Sequence, residues 1–349
     1  MLQEINKKLS QSSVTSEEKK QVDYIAGYPR VTPETFDNSY FLNDIQGETP
    51  KTELILEDTL SIKKTGEKPL PGNPIANAPL VPVYEISFET STGQQITLQD
   101  RYAFIGYGSN TSPEVLGKKF GEESFGQDKD VTIPVIMTNI KDHAVVHSAF
   151  FGGAGSIPVT MMRSEGDKVR VSTSFYTEDQ VKRMNSSEPN YDVVRIDQVD
   201  ITLNNGSVLP ANPSVYDSIW GGLKSFDGKL MTNNCVPHET QLGVTTTMGA
   251  MRHAFNVCGG FDTLQKPFEH WVLDTKNPKA VDFPTEDVLK AERAARLTLR
   301  MDVNDALMDY AAPRNLIGTV IQPATLTNKR NKLLAKKNPA NVKTTTLRP

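Results

Sequence analysis

The fold is decided by residues 102–116, which read YAFIGYGSNTSPEVL. The apolar and aromatic run at 102–105 is typical of a buried strand. Ser112 is a preferred N-cap, Pro113 suits the first helical position, and Glu114 favours the positive end of a helix. The stretch therefore predicts a strand, a glycine-containing turn and a helix N-terminus. Unpaired backbone N–H groups at such a turn can bind an anion or a developing oxyanion. The alternative is an ordinary turn whose Gly, Ser and Asn serve only the backbone geometry.

Composition and charge exclude several classes of protein. The chain has 349 residues, of which 37% are hydrophobic and 7% aromatic, so it can bury a core but leaves room for loops and tails. No apolar run reaches membrane-spanning length, and the first residues lack the apolar core of a secretory signal. Two cysteines cannot form a disulfide framework in a chain of this size. We therefore expect a protein of the reducing cytoplasm with no membrane partner.

The chain is predicted to divide into four regions. Residues 1–80 are polar and end in a proline-rich stretch, which indicates an N-terminal extension and a linker. Residues 81–275 carry the strand signals and form the main domain. Residues 276–327 form a helical segment, whose clearest helix is predicted over Pro284–Leu307. Residues 328–349 are predicted to be a basic, disordered tail.

The basic tail bears on the expected partners. It contains seven Lys and Arg residues and no acidic one, so removing it from a chain of net charge −4 leaves −11. Such a tail can contact nucleic acid, anionic lipid or an acidic partner, but its Asn, Thr and Pro content also suits a solvated end. We therefore do not expect nucleic acid to be the partner, although the basic tail would allow such binding.

Alternating or apolar runs separated by turn residues predict a series of strands in the main domain. A capping box at Thr177–Gln180 opens a short helix through Met184. The simplest account is an α+β fold, a small and mostly antiparallel β-barrel with flanking helices and with extensions at both ends. The predicted strands are Val83–Phe88, Gln95–Leu98, Tyr102–Ile105, Val131–Met137, Ala144–Phe150, Ile157–Met162, Val169–Phe175, Tyr191–Ile196 and Val199–Leu203.

A carboxylate follows the short helix. Glu188 comes just beyond it, and Tyr191 opens the next strand. At the mouth of a small barrel, a carboxylate in this position can work as a general acid or base. The alternative is a solvated turn glutamate.

Together these segments resemble the gamma-glutamylcyclotransferase superfamily. That family carries a Tyr-Gly-Ser-Asn loop between a strand and a helix, matched here at Tyr107, Gly108, Ser109 and Asn110. The family's later Leu-Asp-x-x-Glu corresponds to residues 184–188, and its strand-opening tyrosine to Tyr191. Residues 151–158 also resemble the glycine-bearing segment that enters the family's central strand. The resemblance covers residues 100–205 and leaves the flanks unaccounted for.

The resemblance implies an intramolecular acyl transfer that needs no metal or cofactor. The α-amine of a gamma-glutamyl substrate attacks its own side-chain carbonyl and leaves 5-oxoproline. By the family match, Glu188 is the general base and acid, and Gly108 and Ser109 supply N–H groups for the oxyanion. Tyr107 and Tyr191 shape the pocket, and Ser109 or Asn110 binds the substrate. A serine hydrolase would need a histidine next to its nucleophile, and the sequence shows none in a suitable position, so Ser109 is expected to be a ligand.

Three departures from the family pattern bear on this expectation, and one of them is the short loop between Glu188 and Tyr191. The family aspartate is replaced by Asn185, and Pro189 follows the catalytic glutamate where glycine is common, which restrains Glu188 toward extended geometry. They leave open a catalytically silent binding or scaffold protein on the same fold.

The cysteines and two histidines offer a competing site. Cys235, His238, His253 and Cys258 are zinc-ligand types at plausible separations, although the order is not a familiar zinc-finger pattern. The alternative is ordinary packing of thiols and imidazoles. We therefore expect that the protein binds no metal, and a zinc-stabilised interaction domain in the C-terminal third is the alternative.

Overall fold

The computed structural model describes residues 16–46, 49–73, 78–121, 131–152, 155–196, 199–260, 271, 302–315 and 318–324. Its α-helices are α1 (Ser16–Ala26), α2 (Pro113–Phe120), α3 (Glu178–Ser187) and α4 (Thr247–Val257), and residues 302–307 are also helical. Its strands are β1 (Tyr40–Gln46), β2 (Thr49–Pro69), β3 (Leu80–Thr90), β4 (Gln95–Gly106), β5 (Ile133–His147), β6 (Val159–Tyr176), β7 (Tyr191–Ile196), β8 (Ile201–Thr202), β9 (Ser214–Ser218), β10 (Gly222–Leu223), β11 (Met231–Asn233), β12 (His238–Glu239), β13 (Gly243–Thr245), β14 (Ala311–Ala312) and β15 (Gly318–Gln322).

The predicted strand and helix around the glycine loop are confirmed. β4 ends at Gly106 with its last six residues buried, and α2 begins at Pro113 after the N-cap Ser112. A 3-10 turn, Ser109–Thr111, lies between them and is closed by the hydrogen bond from Thr111 N to Gly108 O at 2.9 Å. The sequence had suggested that the N–H groups of the loop lie at the first turn of α2. They belong instead to this 3-10 turn.

The fold is α+β, with a large mixed sheet. Thirteen of the described strands form one sheet, and β10 and β14 pair separately. Most neighbours in the large sheet are antiparallel, while β4 and β9, and β11 and β13, run parallel. Six strands pair in the order β6-β5-β1-β2-β3-β4, and β4 also pairs with β6. The pairing thus returns to its starting strand, and large apolar side chains from these strands fill the main core.

Two predicted strand breaks were wrong. The runs at 131–137 and 144–150 belong largely to one strand, β5, and the runs at 157–162 and 169–175 to β6. The register of β5 on β6 shifts between Lys141 and His143, where Asp142 has φ 55°, and Gly166 opposite has φ 81°. The turn-type residues therefore mark an irregularity within a long antiparallel pair.

The polar N-terminal region contributes two strands to the sheet. β1 lies between β5 and β2, and β2 pairs with β3 from Ile55 to Pro69. Phe41, Leu42 and Ile55 are buried in the main core. The predicted boundary at residue 80 thus falls between two paired strands.

The C-terminal expectations fall mainly outside the described residues. This applies to the basic tail at 328–349 and to the predicted helix at 284–307, apart from the helical residues 302–307. Within the described ranges, no helix combines the length and the apolar character needed to cross a membrane.

Candidate active site

The structure brings the two separated sequence motifs to one small cavity. The loop residues Tyr107 to Asn110 line it together with Glu188 and Tyr191, and Tyr28, Val159 and Tyr216 complete much of the wall. Asn110 Nδ2 lies 3.2 Å from Glu188 Oε1, although the two residues are 78 positions apart in the chain. The predicted site residues of the cyclotransferase-like set are therefore neighbours in space.

Helix α3 delivers Glu188 to the cavity. Thr177 and Gln180 form the predicted capping box at its start, and buried Val181 and Met184 hold it against the core. The helix ends one turn later than predicted, and Glu188 becomes its C-cap with φ −119° and ψ 54°.

The extended geometry expected for Glu188 before Pro189 is not observed, because ψ falls well below the extended range. A tight turn explains the difference. Glu188 N donates to Asn185 O at 3.3 Å, and Tyr191 N donates to Glu188 O at 3.1 Å.

One oxygen of the Glu188 carboxylate carries all the contacts of its side chain. Oε1 accepts from Asn110 Nδ2 and from Lys119 Nζ, the latter at 3.0 Å. Lys119 also donates to Asn110 Oδ1 at 2.7 Å and to Ser187 Oγ at 3.1 Å. Oε2 has no hydrogen-bond partner in the part of the chain that the structure describes. The carboxylate is therefore anchored at one oxygen and available at the other.

The glycine loop offers backbone donors beside that carboxylate. Among the described residues, the N–H groups of Gly108 and Ser109 donate to no protein acceptor, while their carbonyls close the 3-10 turn. A Cβ atom added to Gly108 would lie 3.0 Å from Val159 Cγ2, so a side chain at this position would crowd the contact between the loop and β6. The two amides are suited to a carboxylate or an oxyanion.

Four of the eleven residues that line the cavity are tyrosines, and their side chains stay neutral. Burial is the main cause that raises the pKa of Tyr107, Tyr191 and Tyr216 well above its usual value, and the negative charge of Glu188 adds to it. Tyr107 Oη donates to Tyr216 O, and Tyr191 Oη donates to Val159 O at 3.0 Å. The cavity between them has a volume of only about 20 Å³, measured as the space open to the centre of a water molecule. This is room for about one water molecule.

Asn185 connects distant parts of the chain. Its Nδ2 donates at 3.1 Å both to Pro71 O and to Gln322 Oε1, and its Oδ1 accepts from Tyr216 Oη at 2.7 Å. An aspartate would present only acceptors to the first two groups. With its partners placed as they are, the amide of Asn185 fits this position better than a carboxylate would, because two of its three hydrogen bonds are donated.

Sequence patterns did not mark several residues that the structure places at the site, and Tyr28 and Lys119 are two of them. Tyr28 comes from the polar region before β1, where no pattern marked it. Lys119 lies in the last turn of α2, and its position two turns beyond Pro113 gave no sign that it would face a glutamate on another helix.

The four candidate zinc ligands are not brought together. His238 Nε2 accepts from Val145 N at 3.0 Å, and Cys235 Sγ contacts Asn234 Oδ1 at 3.6 Å. His253 packs against Phe226 at a ring-centroid distance of 4.4 Å, and Cys258 caps the end of α4. Among the described residues, no group of three or more His, Cys, Asp or Glu side chains is arranged to hold a metal ion.

No family model, no curated protein and no solved structure matches this chain.

Proposed function

We propose that this protein is a gamma-glutamylcyclotransferase-like enzyme, which releases 5-oxoproline from a gamma-glutamyl amine or peptide. One observation carries the proposal: Glu188 and the glycine loop line the same cavity, and within the described ranges neither Glu188 Oε2 nor the N–H groups of Gly108 and Ser109 have a hydrogen-bond partner. A base beside an oxyanion site is the combination that acyl transfer requires.

The reaction assigned to these residues is balanced without another reactant. The α-amine of the gamma-glutamyl group attacks the side-chain carbonyl carbon, forming a new C–N bond, and Glu188 accepts a proton from this nitrogen. The N–H groups of Gly108 and Ser109 hold the carbonyl oxygen while it carries negative charge. The bond to the leaving nitrogen then breaks as Glu188 returns the proton. Because both reacting groups belong to one molecule, binding the substrate in a folded shape supplies much of the acceleration.

The fold supports the same proposal. The strand order β6-β5-β1-β2-β3-β4, with β4 returning to β6, is antiparallel throughout. We infer a small barrel of the gamma-glutamylcyclotransferase type, with the site at the end where the chain leaves β4 and enters β7.

The test is a panel of gamma-glutamyl amines and dipeptides, with 5-oxoproline detected by mass spectrometry. We expect turnover of at least one compound by the wild-type protein and a loss of at least about 100-fold in Glu188→Gln. Glu178→Gln is the matched control, because Glu178 begins the same helix and forms an exposed ion pair with Lys182. Equal turnover by Glu188→Gln and wild type would exclude the role given to Glu188.

A second candidate function is a catalytically silent binding or scaffold protein. It is favoured by the small volume of the cavity and by the ion pair that Lys119 makes with Glu188. The same panel separates the two candidates. Binding of a gamma-glutamyl compound without 5-oxoproline release from any member of the panel supports the silent protein.

A further inference from the structure

Tyr28 differs from the other tyrosines of the cavity in how it is held. Tyr107, Tyr191 and Tyr216 are buried, and their hydroxyls donate to Tyr216 O, Val159 O and Asn185 Oδ1, respectively. Tyr28 is partly exposed as a residue and lines the cavity together with Ser109 of the candidate site. It is the one tyrosine that is not buried among the described residues that line the cavity.

The phenol end of Tyr28 lies among the groups that the proposed reaction uses. Burial raises the pKa of Tyr28 above its usual value, and the negative charge of Glu188 raises it further. The hydroxyl therefore stays protonated in the cavity that Ser109 and Glu188 also line. The cavity has a volume of only about 20 Å³, so a substrate that contacts both the loop and the carboxylate needs more space than is open.

The backbone around Tyr28 contacts both the glycine loop and the start of α4. Pro29 Cβ would be 3.4 Å from a Cβ atom added to Gly108, so this segment lies directly against the glycine loop. Thr247 Oγ1 donates to Tyr28 O at the start of α4, and Val31 is buried in the main core. These contacts hold the backbone of the segment next to the cavity.

We propose that Tyr28 is the size-determining residue of this site, occupying the space of a gamma-glutamyl ligand and limiting what enters. This inference rests on the proposed function for the identity of the ligand. Its class is an amino-acid derivative with an ammonium group for Glu188 Oε2 and a carbonyl or carboxylate oxygen for the N–H groups of Gly108 and Ser109. Binding then requires the ring of Tyr28 to move out.

The expected effect follows from the population of the closed state. A site that is open in only about 1–10% of molecules binds its ligand about 10- to 100-fold more weakly than an open site. Replacing Tyr28 by alanine removes this penalty. We therefore expect Tyr28→Ala to bind 5-oxoproline about 10- to 100-fold more tightly than the wild type.

The experiment uses the full chain and two probes, p-cresol and 5-oxoproline, with binding followed by ligand-observed NMR. Because p-cresol is the side chain that the substitution removes, we expect it to bind Tyr28→Ala and to be displaced by 5-oxoproline. Tyr310→Ala is the control, since Tyr310 is also partly buried but packs against Phe226 and His253. Tyr28→Phe, which keeps the ring, is expected to exclude p-cresol as the wild type does.

Two results would overturn the inference. One is a folded Tyr28→Ala that binds p-cresol no better than Tyr310→Ala, and the other is p-cresol that 5-oxoproline does not displace. Should Tyr28→Ala not fold, Tyr28→Val with phenol as the probe carries the same test. Competitive binding without turnover in any variant would exclude the proposed reaction while supporting the role of Tyr28, so the two failures are distinguishable.

Discussion

Lys119 Nζ and Glu188 Oε1 lie 3.0 Å apart, joining the last turn of α2 to the C-cap of α3. Their side chains are only 18% and 17% exposed, in contrast to the surface ion pairs of the same helices. Asn110 contacts both partners, so the pair also links the glycine loop to the helix that carries Glu188. The same contact thus stabilises the fold and positions the candidate catalytic carboxylate.

The first prediction concerns the stability of this ion pair. Lys119→Met should lower the free energy of unfolding by about 1–3 kcal/mol, because it leaves a largely buried carboxylate without its cation. In the background of Glu188→Gln the same change should cost much less. A double-mutant cycle measured by denaturant unfolding tests this coupling. Lys118→Met is the control, because its pair with Glu114 is exposed and should contribute below about 0.5 kcal/mol. Additive costs for Lys119→Met and Glu188→Gln would contradict the prediction.

The second prediction concerns Asn185. Asn185→Asp should destabilise the protein by about 2–4 kcal/mol, because it removes two donated hydrogen bonds and sets a carboxylate against Pro71 O and Gln322 Oε1. Asn190→Asp is the matched control. Asn190 Oδ1 accepts from Trp220 Nε1 at 3.1 Å, a bond that a carboxylate can also accept. Thermal and denaturant unfolding of both variants measure the difference, and equal losses would rule out the donor argument.

The third prediction concerns the pH dependence of stability. His147 is fully buried, and burial lowers its pKa to about 4 from the usual 6.5. Between these values the unfolded chain binds a proton that the folded chain does not, so stability falls as the pH is lowered from about 6.5 to 4. The contribution reaches about 3 kcal/mol. We expect this part of the pH dependence to disappear in His147→Gln. An unchanged slope in unfolding experiments between pH 4 and 6.5 would show that His147 is not its source.

The fourth prediction concerns the close packing at the end of β4. A Cβ atom on Gly106 would lie 2.7 Å from Ser172 Oγ and 3.0 Å from Thr111 Oγ1. Gly106→Ala should therefore cost about 1–3 kcal/mol of stability. Gly243→Ala is the control, since a Cβ atom there meets nothing within 4 Å, and its effect should stay within about 0.5 kcal/mol. Calorimetry of both variants is sufficient, and similar melting temperatures would contradict the packing argument.

Local signals in the sequence predicted the elements that frame the site. The start of α2 at Pro113, the capping box of α3 and the bounds of β7 were all correct. Each depends on interactions within a few residues, such as a side chain capping a nearby N–H group. The breaks predicted within β5 and β6 failed because the same residue types serve both turns and bulges.

The sequence by itself determined that Tyr107 to Asn110 form a turn between a strand and a helix, and that Glu188 follows a capped helix. Only the tertiary structure decided that Lys119 and Asn110 hold one oxygen of Glu188, and that Tyr28 lines the cavity beside them. The physical reason is the range of the interactions. Caps and turns form between neighbours in the chain, whereas these contacts join residues about 70 or more positions apart and depend on how the whole sheet pairs.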